Sequence, residues 1–121
     1  MNSREALKVV SAKVGFLLRN RGYSREDRKR LLKSARFVLA VIQYDGDKER
    51  VKKAVNLPDF EVRWRRLKRN HVFKEDGSLN LPSEMCLTEA VHFLRILIGI
   101  SDGMLFMDHR HAVYGEVEAW L

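Results

Sequence analysis

The longest uninterrupted apolar run of the chain is Phe37–Ile42, six residues that close a helical pattern. A membrane-spanning helix needs about 20 apolar residues, so this run predicts a helix end buried in a core and no membrane span. The first twenty residues carry charges throughout, so they lack the apolar centre of a signal peptide. The only cysteine, Cys86, excludes a disulfide-stapled domain. With 121 residues, 45% of them hydrophobic, we expect a single domain over 1–121.

Apolar residues recur at three- and four-residue spacing in five segments, which predicts five helices. Their expected bounds are 3–21, 24–44, 48–55, 60–70, and a last helix from 83 or 88 to about 100. The side chains expected to cap helix starts are Asn2 or Ser3, Ser24, Asp47 and Asp59. Between the last two helices, 71–75 and 78–81 are predicted as short strands. The last eighteen residues fit a helix capped by Asp108 or a pair of strands equally well.

Charge is segregated along the chain. The net charge of +7 combines 20 Lys and Arg against 8 Asp and Glu over residues 1–70, net +12, with 3 against 8 over 71–121, net −5. This pattern predicts one strongly positive face, whose commonest partner is a polyanion such as nucleic acid. The alternative is an evenly solvated surface with no ligand.

The order of elements over 47–81 is short helix, turn, basic helix, strand, Asp76-Gly77 turn, strand. Asn56 stands in the turn at a position where glycine is common, and asparagine tolerates the left-handed conformation. Packing positions of the short helix and the turn are Val51, Ala54, Val55 and Leu57. This segment, with helix 24–44 before it, resembles a winged helix-turn-helix.

The resemblance implies a mainly α fold with a small β-hairpin. Its winged helix-turn-helix core would span 24–81, flanked by helices in 1–22 and 83–121 that could mediate oligomerisation. Two positions depart from the family pattern, since Lys52 replaces a small residue and His71 replaces a glycine. The turn spacing selects Val62 as the first packed residue of the basic helix, whereas the wing spacing selects Phe60.

The basic helix has an apolar stripe and a cationic arc. Phe60, Trp64 and Leu67 recur at i, i+4 and i+7, so we expect them to face the core. The outer arc then holds Val62, Arg65, Arg66, Lys68 and Arg69, with Arg63 and Asn70 at its edge. A helix about 10–12 Å across fits the major groove of DNA. The candidate DNA-binding residues are Arg63, Arg65, Arg66, Lys68, Arg69, Asn70, Lys74, Arg28 and Arg30.

Two further clusters bear on the interface. The expected wing tip, 75–78, is acidic, so we expect it to pack or to contact protein, with at most Lys74 touching DNA. The junction of the first two helices, which includes Arg28 and Arg30, either extends the phosphate contacts or solubilises a surface corner.

We expect a non-catalytic protein that binds double-stranded DNA in the cytoplasm, without metal or cofactor. It would regulate transcription, or recognise DNA within a packaging or replication complex, on a bacterial nucleoid or in the host cytoplasm of a virus. A homodimer and a protein partner, bound through the wing or the acidic C-terminal region, are also expected. A metal site is not expected at His109 and His111. The two residues share a face only on a strand, and no third ligand lies near them in sequence.

Two alternatives belong to other classes. One is a protein-interaction module built on the same scaffold. The other is a small helical ribonuclease of the HEPN type, because Arg66 and His71 have the Arg-x4-His spacing of that family.

Overall fold

The computed structural model describes residues 1–20 and 25–103, without the side chains of 14–20, 27, 28, 30 and 31. Its helices are α1 Ser3–Asn20, α2 Arg25–Gln43, α3 Lys48–Val55, α4 Phe60–Arg69 and α5 Leu87–Ser101. They lie where the apolar spacing predicts them. Ser24, expected to cap α2, and the two alternatives for 104–121 lie outside the described residues.

Helices α2 and α5 lie at the centre of the fold. Helix α2 packs against α1, α3 and α5, while α4 packs against α5. The run Phe37–Ile42 lies in the core as expected, with Leu39 partly buried and its five neighbours buried. Leu7 of α1 and Leu94 of α5 are fully buried in the same cluster. The apolar faces of α1 and α5 thus complete one core with α2.

Asparagine and aspartate residues lie at the start of α3 and in the turn between α3 and α4. Asp47 caps α3, since its carboxylate accepts a hydrogen bond from the backbone of Arg50 at 3.3 Å. Asn56 ends the helix with φ 47°, the left-handed conformation that the sequence predicts there. Asp59 precedes α4 but makes no capping bond. Its carboxylate instead accepts from Nε of Arg63 at 3.0 Å.

An aromatic cluster orients α4. The rings of Phe60 and Trp64 stack at 5.6 Å, and Phe73 also stacks on Trp64, at 4.6 Å. Phe37 of α2 meets both α4 rings edge-on. Phe60 is buried and Val62 is 41% exposed, so the spacing from the wing segment, and not that from the turn, gives the correct phase of the helix.

The predicted small β-hairpin is wrong. Among the described residues the structure is helical with no strand or sheet, and segment 71–81 holds one isolated antiparallel bridge between Phe73 and Leu79. His71 has φ 59°, which ends the extended backbone on one side. On the other side Pro82 has no N–H to donate. The ladder is therefore limited to the bonds from Lys74 to Ser78 and from Asn80 to Val72, and the winged fold class is corrected to an all-helical one.

The Asp76-Gly77 turn itself does form. The backbone N–H of Gly77 bonds to the carbonyl of Lys74 at 2.9 Å, and Gly77 takes φ 90°. The turn packs against the loop after α2, where a Cβ on Gly46 would lie 2.2 Å from the carbonyl oxygen of Gly77. The backbone of Gly77 thus lies against Gly46, while the side chains of Glu75 and Asp76 are exposed.

No helix in the described part of the chain is long and apolar enough to cross a membrane.

Candidate nucleic-acid interface

Helices α3 and α4 and the turn after them concentrate positive charge. Residues 48–74 hold ten Lys and Arg against three Asp and Glu. The cations of α3 come after Asp47 in the sequence, and Asp47 caps that helix. The exposed cations of α4 lie on the side opposite its buried aromatic stripe. The exposed cations of this segment are Arg50, Lys52, Lys53, Arg65, Lys68, Arg69 and Lys74.

The carboxylates of α4 and its cap are already paired. Glu61 lies 3.0 Å from Nζ of Lys48 and 3.4 Å from Nζ of Lys52, which bridges α3 to α4. The hydrogen bond from Lys48 is the main cause that lowers the pKa of Glu61. Asp59 pairs with Arg63. Neither carboxylate neutralises the outer arc of α4.

Arg65, Lys68 and Arg69 remain on that outer arc, which we call the α4 face. In the part of the chain that the structure describes, no carboxylate lies within 4.0 Å of their charged groups. Arg65 makes one long bond, from Nε to the carbonyl of Glu61 at 3.5 Å. Three like charges on adjacent turns repel one another. A bound polyanion would neutralise them and remove this repulsion, which favours its binding.

Arg63 was expected at the edge of the outer arc as a DNA-binding residue, but it is buried and does not belong to the candidate interface. It is 7% exposed. Besides Asp59, its guanidinium contacts the carboxylate of Asp102 at 3.1 Å and the hydroxyls of Ser34 and Ser101 at 3.1 and 2.9 Å. Ser34 also donates to Asp102. The side chain therefore joins α4 to α2 and to the end of α5.

Arg66 is tethered in the same direction. Its Nη1 donates to the carbonyl of Ser101 at 2.8 Å, where α5 ends. A Cβ on Gly103 would lie 2.8 Å from its guanidinium carbon, so the side chain is held closely. In a ribonuclease of the HEPN type, Arg66 would meet a phosphate beside His71, and that alternative stays a prediction.

Of the remaining candidates, Asn70 follows α4 directly, Lys74 lies in the segment after it, and Arg28 and Arg30 belong to α2. Asn70 ends α4 and its side chain donates to the carbonyl of Arg66 at 2.7 Å, so it acts as a helix cap. Lys74 is exposed and lines an open groove of about 490 Å³ with the first turns of α1. Arg28 and Arg30 lie on α2, with side chains outside the described ones.

Asp76, in the acidic tip of the 71–81 segment, is hydrogen-bonded within the tip. Asp76 accepts from the hydroxyl of Ser78 at 2.6 Å and from its backbone N–H at 2.9 Å. These bonds, the hydroxyl first, lower the pKa of Asp76. The tip thus stays negative, which is unfavourable beside a phosphate backbone.

Sequence reasoning missed the cluster around Arg63. The signal available was the i, i+4 spacing of Asp59 and Arg63, which places opposite charges on one helix face. The partners Ser34, Ser101 and Asp102 come from distant segments, and no local pattern marks them. No group of three His, Cys, Asp or Glu is placed to hold a metal within 1–20 and 25–103, and His109 and His111 lie outside that part.

Comparisons of the chain with family models, with curated proteins and with solved structures find no match in any of the three.

Proposed function

We propose that the protein binds double-stranded DNA without catalysis, through the α4 face and the adjoining cations of α3. The observation that supports the proposal most is the separation of charge on α4. Its carboxylates are paired away from the outer arc, whereas Arg65, Lys68 and Arg69 are exposed and without an ion-pair partner among the described residues.

The cations are presented on a rigid support, which favours binding over a role as a solvated surface. The stacked rings of Phe60, Trp64 and Phe73 hold the inner side of α4. Arg63 and Arg66 tie the same side to the end of α5. A helix held in one orientation loses little conformational entropy on binding.

Helix α3 extends the cationic surface. Glu61 holds Lys48 and Lys52 beside the start of α4, and Lys53 is exposed on the same short helix. Phosphates bound there would compete with Glu61 for the two lysines. Contacts of this kind position a protein on a duplex, while base contacts select the sequence.

A protein-interaction module is the other outcome to be tested. An acidic protein surface could also neutralise the α4 face. It would not reproduce a preference for duplex over single-stranded nucleic acid at equal charge, because that preference depends on groove shape.

The experiment is a fluorescence anisotropy titration with random duplex DNA, duplex RNA and single strands at two salt concentrations. The wild type is expected to prefer duplex DNA and to bind more weakly at high salt. The variant R65Q/R69Q should lose most of that affinity. Its matched control is K8Q/K13Q, which removes two exposed lysines from α1 and should retain the affinity. Equal binding by both double variants would overturn the proposal.

A further inference from the structure

The α4 face carries one apolar side chain among its cations. Val62 is 41% exposed, and it is the only large hydrophobic residue of α4 that is exposed. The other exposed large hydrophobic residues in the described chain are Met1, Val9, Leu87 and Ile96, which lie at the amino terminus or on α1 and α5. A valine contributes nothing to phosphate binding, whereas a base edge in the major groove can offer it an apolar contact.

The geometry of the helix places Val62 in line with two arginines. Arg65 follows at i+3 and Arg69 at i+7, so all three lie along one outward stripe. From Val62 to Arg69 the helix rises about 10.5 Å. That length matches about three base pairs of a duplex, which advance about 3.4 Å each.

Duplex DNA offers an apolar partner to such a stripe. In the major groove, thymine presents its apolar C5-methyl group, and guanine presents an edge that arginine binds. Duplex RNA has no such methyl group on uracil, and its major groove is too narrow to admit side chains. A stripe of Val62, Arg65 and Arg69 is therefore complementary to thymine-containing DNA.

We infer that Val62 is a specificity-determining residue, which contacts a thymine methyl group while α4 lies in the major groove. This inference rests on the proposed function and names the bases that the same site prefers. Lys68 and the cations of α3 then contact phosphates, and the two arginines reach phosphates or guanine edges beside the thymine.

The test begins with selection of preferred sites by the wild type from a randomised duplex DNA library. Each thymine of the selected site is then replaced by deoxyuridine, which removes only the methyl group. At one position we expect the wild type to bind about fourfold more weakly, the effect of exposing about one methyl group. The variant V62A should bind the thymine duplex and the deoxyuridine duplex about equally, and both more weakly than the wild type binds the thymine duplex.

The matched control is V9A, because Val9 is 39% exposed on α1, away from α4. It should keep the difference between thymine and deoxyuridine. The inference is overturned if no site is enriched, if every deoxyuridine duplex binds as well as its thymine counterpart, or if V62A keeps the difference. Failure of the wild type to bind any duplex DNA would overturn the proposed function as well, so the two failures are distinguishable.

Discussion

The two sides of α4 carry the same kind of residue in opposite roles. On the inner side, Arg63 is buried among two carboxylates and two hydroxyls, and Arg66 donates to the end of α5. On the outer side, Arg65 and Arg69 are exposed with no carboxylate near them in the described chain. The difference comes from about 100° of rotation per residue, so a count of arginines overstates the number available to a ligand.

Removing an apolar side chain should change the free energy of unfolding unequally on the two sides of α4. Trp64→Ala should lower the free energy of unfolding by about 3–5 kcal/mol, because the buried indole stacks on both Phe60 and Phe73. Val62→Ala on the outer side should change it by less than about 0.5 kcal/mol. Urea unfolding followed by circular dichroism measures both. Equal costs would mean that α4 does not face the core as described.

The same contrast applies to the arginines, with a smaller effect. Arg63→Met should cost about 3 kcal/mol, because it leaves the buried carboxylate of Asp102 without its guanidinium partner. Arg69→Met should stay within about 0.5 kcal/mol. The two variants differ only in the side of the helix, so urea unfolding of the pair isolates the role of the Arg63 cluster. An unchanged R63M protein would contradict that role.

The pairing of Glu61 predicts a small pH dependence. Because Lys48 and Lys52 lower its pKa in the folded state, the carboxylate stabilises the fold at pH values above its unfolded pKa. That stabilisation disappears as the pH falls through the lower folded pKa. The effect should be slight and weaken with salt, since the pair is exposed. Thermal unfolding from pH 7 to pH 3 should show a steeper fall for the wild type than for Glu61→Gln.

Glu61→Gln should also change the affinity for duplex DNA. It frees Lys48 and Lys52 from their carboxylate, so the variant should bind duplex DNA more tightly, by a few fold at low salt. The isosteric change Glu49→Gln, on α3 but outside this bridge, controls for the change in net charge. If the two variants gained equally, the bridge would have no specific effect on the cations.

Much of the fold could be predicted because its signals are local. The five helices follow from apolar spacing, and the left-handed Asn56 and His71 stand where the chain must turn. The hairpin could not be predicted correctly, because Asp-Gly and alternating residues indicate a turn without fixing how far a ladder extends. Here His71 and Pro82 end the extended backbone after one bridge.

The candidate site was predictable on its outer side only. Helical geometry places Arg65, Lys68 and Arg69 outward once the aromatic stripe is known to be buried. The burial of Arg63 depends on Ser34 and Asp102, which lie 29 and 39 residues away in sequence. Such contacts are set by tertiary packing, so the edge of an outward arc is where sequence reasoning fails first.

The most direct test of the α4 face is the salt dependence of duplex DNA binding by the wild type and R65Q/R69Q. Removing one cation that neutralises a phosphate makes the slope of log affinity against log salt shallower by about 0.9. We therefore expect the double variant to have a slope shallower by about 1.8 if both arginines meet phosphates, while R63M, where it folds, keeps the wild-type slope. Identical slopes for the wild type and R65Q/R69Q would show that neither Arg65 nor Arg69 meets the DNA backbone, which contradicts the phosphate contacts expected of these two arginines.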